Sequence, residues 1–165
     1  MTSRQWWTLS LVLSTGILAG GCTQSQNVEL IELLSLSDCP RLEQGISLLD
    51  YQQVAALRGG QMLFEDNDDG ADPDAPGHAD SDLLLAIALG PQPTPGYGVY
   101  ADSPAQLEDG TLHVQIQRTT PPPDAMLAQV ITHPCVVLGI VADAEQIRHI
   151  EVLDEDGSSF GTLAR

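Results

Sequence analysis

An alternation of apolar and polar residues from Thr111 to Thr119 constrains the fold of this chain more than any other feature. Leu112, Val114 and Ile116 fall on one side of this stretch, and polar residues occupy the positions between them. Because successive side chains of a strand point to opposite faces, the pattern predicts a strand with one face on a core and one face in solvent. Such strands are typical of antiparallel sheets.

Other apolar stretches extend this prediction to a sheet of six or seven strands. Residues 83–89 are continuously apolar, which is typical of a central strand. Residues 147–153 and 159–164 flank a turn at Gly157 and predict a hairpin. Residues 28–36 fit the strand and helix periods about equally, and their short length favours a strand. The remaining predicted strands are residues 96–101, 111–119 and 128–141, the last bent at Pro134.

One helix is predicted over residues 49–58. Asp50 can cap its first turn, and Gly59 and Gly60 follow its last residue, where glycine is favoured. No internal repeat or second domain boundary is visible, and the length fits one domain. The sequence therefore predicts a single α+β domain, which is a mainly antiparallel sheet with one helix.

The amino terminus has the pattern of a secretory signal. Arg4 precedes an apolar run over residues 8–19, and Gly20 and Gly21 lead to Cys22. Small residues before a cysteine are typical of bacterial lipoprotein signals, in which the thiol accepts a diacylglycerol. We therefore expect a signal peptide at residues 1–21 and a lipidated Cys22. The alternative is an uncleaved membrane anchor, for which the apolar run is short.

Thr23 follows Cys22, so the aspartate that would indicate retention at the inner membrane is absent. This favours the outer membrane of a Gram-negative cell, with the domain facing the periplasm. Stable attachment needs two or more acyl chains, which a mature lipoprotein cysteine carries. We expect a lipidated tether at residues 22–27 and a globular domain at residues 28–165.

The charge balance limits the partners. All 23 acidic residues follow Cys22, and loss of Arg4 with the signal takes the formal charge from −17 to −18. Nucleic acid and anionic headgroups would be repelled, so membrane contact is expected only through the lipid. Eight of these carboxylates lie in residues 65–82, which predicts an exposed acidic loop. Loose calcium binding is the alternative for this loop, although Pro76 stands where an EF-hand has its bidentate glutamate.

Cys39 and Cys135 are the two cysteines left after Cys22 is acylated. Because the periplasm is oxidising, this pair is a disulfide candidate. The alternative is two separate buried thiols. The four histidines lie on different segments without ligand spacing, so no metal site is predicted.

An apolar strand, a proline-rich turn and two strands marked by prolines follow one another between residues 83 and 140. The motifs are Gly90, Thr94-Pro-Gly96-Tyr97, Glu108-Asp-Gly110, Arg118-Thr-Thr-Pro121, Gln129 and His133-Pro134. Their order resembles the C-terminal domain of the PrcB family, which has a Thr-Gly-Gly-Tyr turn, a Thr-x-Pro-Gly strand end and a Gln-x-x-Thr-x-Pro strand. This chain departs from the pattern at Pro95 and at Pro122-Pro123.

The resemblance covers about a third of the chain, and nearer two thirds if residues 45–58 are taken as the family's earlier strand and helix. It implies an accessory, non-catalytic domain of a lipoprotein that stabilises a protease complex. The expected partner is therefore another envelope protein, with a protease among the candidates. The resemblance supplies no catalytic residues and no cofactor.

The turn from Gly90 to Gly98 is the predicted binding site. Its nine positions hold three prolines and three glycines, and a stiff exposed turn loses little entropy on binding. The alternative is a structural turn with its tyrosine in the core. The residues expected to contact a partner are Gln92, Thr94, Gly96 and Tyr97.

Two other functions remain open, an envelope hydrolase and a cation-dependent structural component of the envelope. The string Gly157-Ser-Ser-Phe-Gly161 fits a nucleophile elbow. An elbow needs a following helix and later triad partners, and only residues 162–165 follow, so a hairpin turn is favoured. No catalytic residue, metal site or cofactor is predicted.

Overall fold

The computed structural model describes residues 25–59 and 83–165. The predicted signal peptide, Cys22 and the acidic loop at residues 65–82 lie outside the described residues. Within them the chain forms nine strands, one α-helix and one short 3₁₀ helix. The elements are β1 Gln26–Leu36, β2 Gly45–Leu49, α1 Tyr51–Gly59, β3 Leu83–Ala88, β4 Gly98–Ala101, β5 Ala105–Glu108, β6 Thr111–Thr119, β7 Cys135–Val141, the 3₁₀ helix Ala144–Gln146, β8 His149–Leu153 and β9 Ser159–Ala164.

The strands form one mixed sheet that curls nearly into a barrel. Their order is β2-β3-β7-β1-β5-β6-β8-β9, and β4 pairs with β6 beside β5. Only the β6–β8 pair is parallel among the described strands. The two end strands approach each other, since a Cβ on Gly161 of β9 would lie 3.4 Å from Cγ1 of Ile46 in β2.

The core fills the inside of the curled sheet. Leu112, Val114 and Ile116 are completely buried, which confirms the amphipathic strand that the sequence predicts for β6. All six residues of β3 are buried, because alternate residues face the barrel interior and the helix. The largest fully buried side chains include Leu85, Ile87, Leu112, Ile116, Leu138, Ile140, Ile147 and Ile150.

Helix α1 covers the outer face of β3 and β7, where Val54 packs with Ala86 and Val137. The carboxylate of Asp50 accepts a hydrogen bond from the Gln53 backbone N–H at 2.7 Å. Gln53 Oε1 in turn accepts from the Asp50 backbone N–H at 2.8 Å. This reciprocal pair is a capping box, and the helix predicted over residues 49–58 is confirmed.

The predicted strand count of six or seven is too low. The described sheet is mainly antiparallel, as the sequence predicts, but the parallel β6–β8 pair makes it mixed. The residues of β2 and β5 have no recognisable strand pattern, so their own sequences do not predict these strands. The resemblance to the PrcB family does indicate β2. The parallel β6–β8 pair needs a long connection, and residues 120–148 supply it.

The strand predicted over residues 128–141 is wrong in its first half, because β7 begins only at Cys135. Pro134 has no N–H to donate to a ladder. Residues 128–131 are exposed, so their apolar side chains do not contribute to the core.

Candidate functional site

The strand register defines two ends of the barrel. Leu36, the last residue of β1, lies opposite Cys135, the first residue of β7. Gly98, the first residue of β4, lies opposite Thr119, the last residue of β6. The loops attached to these strand ends therefore lie at one end of the barrel. We call this the loop end. It carries the predicted binding turn, the segment between β6 and β7, and the β8–β9 turn.

The opposite end is where the chain enters the barrel from its amino terminus. Gln26, the first residue of β1, pairs with Leu107 next to the β5–β6 hairpin. Thr111 and His149 pair at the same level. We call this the tether end, because residues 22–25, part of the tether that the sequence predicts, precede it directly.

An open cleft of about 420 Å³ lies at the loop end. A register shift in the β8–β9 pair leaves Phe160 as an extra residue on β9, and such bulges re-aim side chains. Phe160 lines the cleft and also packs against the core. The cleft lining comprises the apolar or aromatic Leu89, Tyr97 and Phe160 and the polar or charged Gln44, Gln92, Arg118, Thr119, Thr120 and Glu155.

The predicted binding turn is fastened to the segment that precedes β7. The Gln92 N–H donates to the Thr132 carbonyl at 2.7 Å, and the Thr132 N–H donates to the Gln92 carbonyl at 3.0 Å. Thr132 Oγ1 also donates to the backbone carbonyl of Thr94 at 3.2 Å. The turn is therefore held by tertiary hydrogen bonds as well as by its prolines.

The four predicted contact residues are placed differently. Gln92 and the half-buried Tyr97 line the cleft, so the Tyr97 ring is neither fully in the core nor fully in solvent. Thr94 contributes its backbone carbonyl to the turn. Gly96 has a φ of +97°, and a Cβ there would lie 3.0 Å from Cβ of Pro121. Gly96 is therefore required by the backbone shape, and it does not line the cleft.

An ion pair stiffens one wall of the cleft. Arg118 Nε lies 3.0 Å from Oδ1 of Asp154, whose side chain is only 11% exposed. That oxygen has no well-aligned hydrogen bond, so its contact with Arg118 is mainly electrostatic. The sequence alone does not predict this pair. The available signal was that Arg118 is one of only five basic residues after Cys22.

The β8–β9 turn at this end is ordered by its own side chains. Asp156 Oδ1 accepts from Ser158 Oγ at 2.6 Å and from the Ser158 N–H at 2.9 Å. These hydrogen bonds favour the charged carboxylate and lower the pKa of Asp156 below its ordinary value, the Ser158 hydroxyl having the larger effect. The predicted hairpin is present, and the Gly-x-Ser-x-Gly string opens β9 rather than a helix.

Residues 122–131, which we call the apolar loop, expose several large apolar side chains. Met126 is fully exposed, Val130 is 54% exposed and Ile131 is 64% exposed. A turn in which the Ala125 N–H donates to the Pro122 carbonyl at 3.1 Å opens the loop. Part of this segment falls in the strand predicted over residues 128–141, so the sequence does not predict its exposed surface.

A disulfide joins Cys39 to Cys135 beside the apolar loop, with the two Cα atoms 6.1 Å apart. The Cys39 N–H donates to the His133 carbonyl at 2.7 Å. His133 Nδ1 lies 3.0 Å from a carboxylate oxygen of Asp38. The segment after β1 is thus tied at three points to the residues that open β7.

In the two described ranges, no three or more histidine, cysteine or acidic side chains come together as a possible metal site. No helix in the same ranges is long and apolar enough to cross a membrane.

The comparisons with known proteins identify one segment. Residues 83–140 match the family model described as PrcB C-terminal. Neither a curated protein nor a solved structure matches the chain. The matched residues run from β3 almost to the end of β7 and contain both the predicted binding turn and the apolar loop. The resemblance that the sequence indicates is therefore confirmed over residues 83–140, where the chain is similar to the PrcB C-terminal family.

Proposed function

We propose that this protein is a non-catalytic subunit that binds and stabilises another envelope protein, with an envelope protease as the leading candidate. A lipid on Cys22 would hold it at the outer membrane, with the domain facing the periplasm. The family match supports association with a protease complex. The lipoprotein box ending at Cys22 supports the anchor.

The observation that carries the proposal is that the loop end combines a hydrogen-bonded turn, a cleft and exposed apolar side chains. Two backbone hydrogen bonds join the turn at Gln92 to Thr132 at the end of the apolar loop. The turn borders a cleft with aromatic and amide side chains, and the loop exposes apolar ones. A rigid surface that combines apolar and hydrogen-bonding groups is suited to protein recognition.

The cleft gives no support to the hydrolase alternative. Its lining residues include neither a histidine nor a cysteine, and the serine of the elbow-like string lies on a hairpin. The acidic loop, on which a cation-dependent role would depend, lies outside the described residues. A binding role is the reading that the described geometry supports best.

The proposal is tested in cells that express either the natural chain or Cys22→Ser. The natural chain should be labelled by a palmitate analogue and sediment with membranes, whereas the variant should lose both properties. In cells that lack the chain altogether, pulse–chase labelling should show that one envelope protein is degraded faster. Unchanged labelling of the variant would contradict the anchor, and unchanged turnover of all envelope proteins would contradict the stabilising role.

A further inference from the structure

We infer that the apolar loop, residues 122–131, is the docking surface for a protein partner that covers it with an apolar patch rimmed by basic residues. This inference rests on the proposed function and names the chemistry of the partner and the place where it binds. Three observations carry it: the position of the loop relative to the tether, its exposed side chains and the charge of the chain.

The first observation is that the loop and the tether lie at opposite ends of the barrel. The chain from Cys22 to Gln26 spans four residue steps, which reach at most about 14 Å when fully extended. Strand β6 runs from the tether end at Thr111 to the loop end at Thr119, a distance of about 26 Å. A barrel held at its tether end therefore keeps the apolar loop away from the bilayer.

The second observation is that the exposed side chains do not stabilise the fold. Met126 is fully exposed, and Val130 and Ile131 expose more than half of their surface. The three side chains lie within six consecutive residues, and exposed apolar groups that lie close together mark interaction sites. The turn at Pro122 and the hydrogen bonds of Thr132 hold the loop at its two ends, so little conformational entropy would be lost on docking.

The third observation is charge. The formal charge is −17 for the whole chain, and Asp124 lies exposed within the loop itself. A second copy of this chain, or an anionic bilayer, would be repelled by such a surface. A partner with basic residues around its apolar patch would be attracted, because charges at the rim of an interface steer association.

The test uses the full-length chain in cells, with a benzophenone amino acid in place of Met126. A matched chain carries the same amino acid in place of Glu145, an exposed residue of the 3₁₀ helix between β7 and β8 at the tether end. Irradiation should join the first chain to one discrete, different protein and leave the second without that product. Val130→Ser together with Ile131→Ser should lower the yield by about tenfold, as expected for loss of central apolar contacts.

Added salt, the mass of the product and lipid-bound quenchers distinguish this partner from a second copy of the chain and from the bilayer. Raising the salt to about 1 M before irradiation shortens the screening length to about 3 Å and should lower the yield; an unchanged yield would contradict the basic rim. A product of twice the chain's mass would point to a second copy. Quenching of a dye at position 126 by spin-labelled lipids in vesicles of phosphatidylethanolamine and phosphatidylglycerol would point to the bilayer. Either result, or no product at all, overturns the inference.

Palmitate labelling of Cys22 in the same cells separates this inference from the proposed function. Labelled chains that form no product at position 126 would overturn the docking surface alone. A protein product at position 126 on unlabelled chains would overturn the anchor and leave the docking surface in place.

Discussion

Gln92 and Thr132 exchange two backbone hydrogen bonds of 2.7 and 3.0 Å, although three strands separate them along the chain. This bridge makes the predicted binding turn and the end of the apolar loop one structural unit. Backbone bonds survive changes of side chain, so the contribution of the side chains to binding can be tested without breaking the unit.

Gln92→Ala together with Thr94→Ala should weaken partner binding and leave the melting temperature nearly unchanged. The backbone bonds of Gln92 and the carbonyl of Thr94 remain in this variant. The side-chain amide of Gln92, which lines the cleft and donates to the Leu89 carbonyl at 3.3 Å, is lost. We expect a loss of up to about tenfold in affinity. Gln146→Ala at the tether end is the control. A sharp drop in melting temperature with unchanged binding would show that the turn is only structural.

Gly96→Ala should destabilise the domain by about 1–3 kcal/mol. A φ of +97° disfavours any residue with a Cβ, and the added atom would lie 3.0 Å from Cβ of Pro121. Gly59→Ala is a matched control, because nothing lies within 4 Å of its added Cβ. Urea unfolding measures both variants; equal stabilities would mean that the turn tolerates another backbone shape.

The Cys39–Cys135 disulfide should be found by mass spectrometry of the non-reduced mature protein, as a peptide that joins the two residues. It closes a loop with a sequence separation of 96, for which chain entropy gives about 4–5 kcal/mol of stabilisation. Cys39→Ser with Cys135→Ser should lower the free energy of unfolding by an amount of that order. Two thiols that are freely alkylated in the folded natural protein would rule out the bridge.

Arg118→Gln should destabilise the protein by about 1–2 kcal/mol, since it leaves the largely buried carboxylate of Asp154 without its cation. The loss is small because Arg118 is 43% exposed and solvent screens the pair. Arg41→Gln removes an exposed arginine and should change stability by less than about 0.5 kcal/mol. Thermal unfolding compares the two, and equal effects would show that the ion pair contributes nothing.

Strong local patterns were sufficient to predict part of the fold. β6 alternates over nine residues, and its buried and exposed faces are those that the sequence predicts. α1 has a capping residue and terminal glycines, and it was found almost to its ends. β5 has only four residues, which is too short for a period to be recognised. Its pairing depends on neighbours that are distant in sequence.

The apolar loop shows why pattern alone failed elsewhere. Residues 128–131 are apolar enough to suggest a strand, but burial depends on the tertiary fold, which leaves them in solvent. The pair of Arg118 with Asp154 joins the end of one strand to the turn after another. Such a contact depends on which strands are neighbours in the sheet, and local sequence patterns do not predict that.

The most direct test of the binding role is purification of the full-length, affinity-tagged chain from detergent-solubilised envelopes, followed by measurement of stoichiometry. We expect one envelope protein, with a protease as the leading candidate, at a constant ratio to this chain. We also expect that Val130→Ser with Ile131→Ser lowers that ratio, whereas Gln146→Ala leaves it unchanged. A chain that purifies alone and hydrolyses an envelope substrate by itself would contradict the binding role.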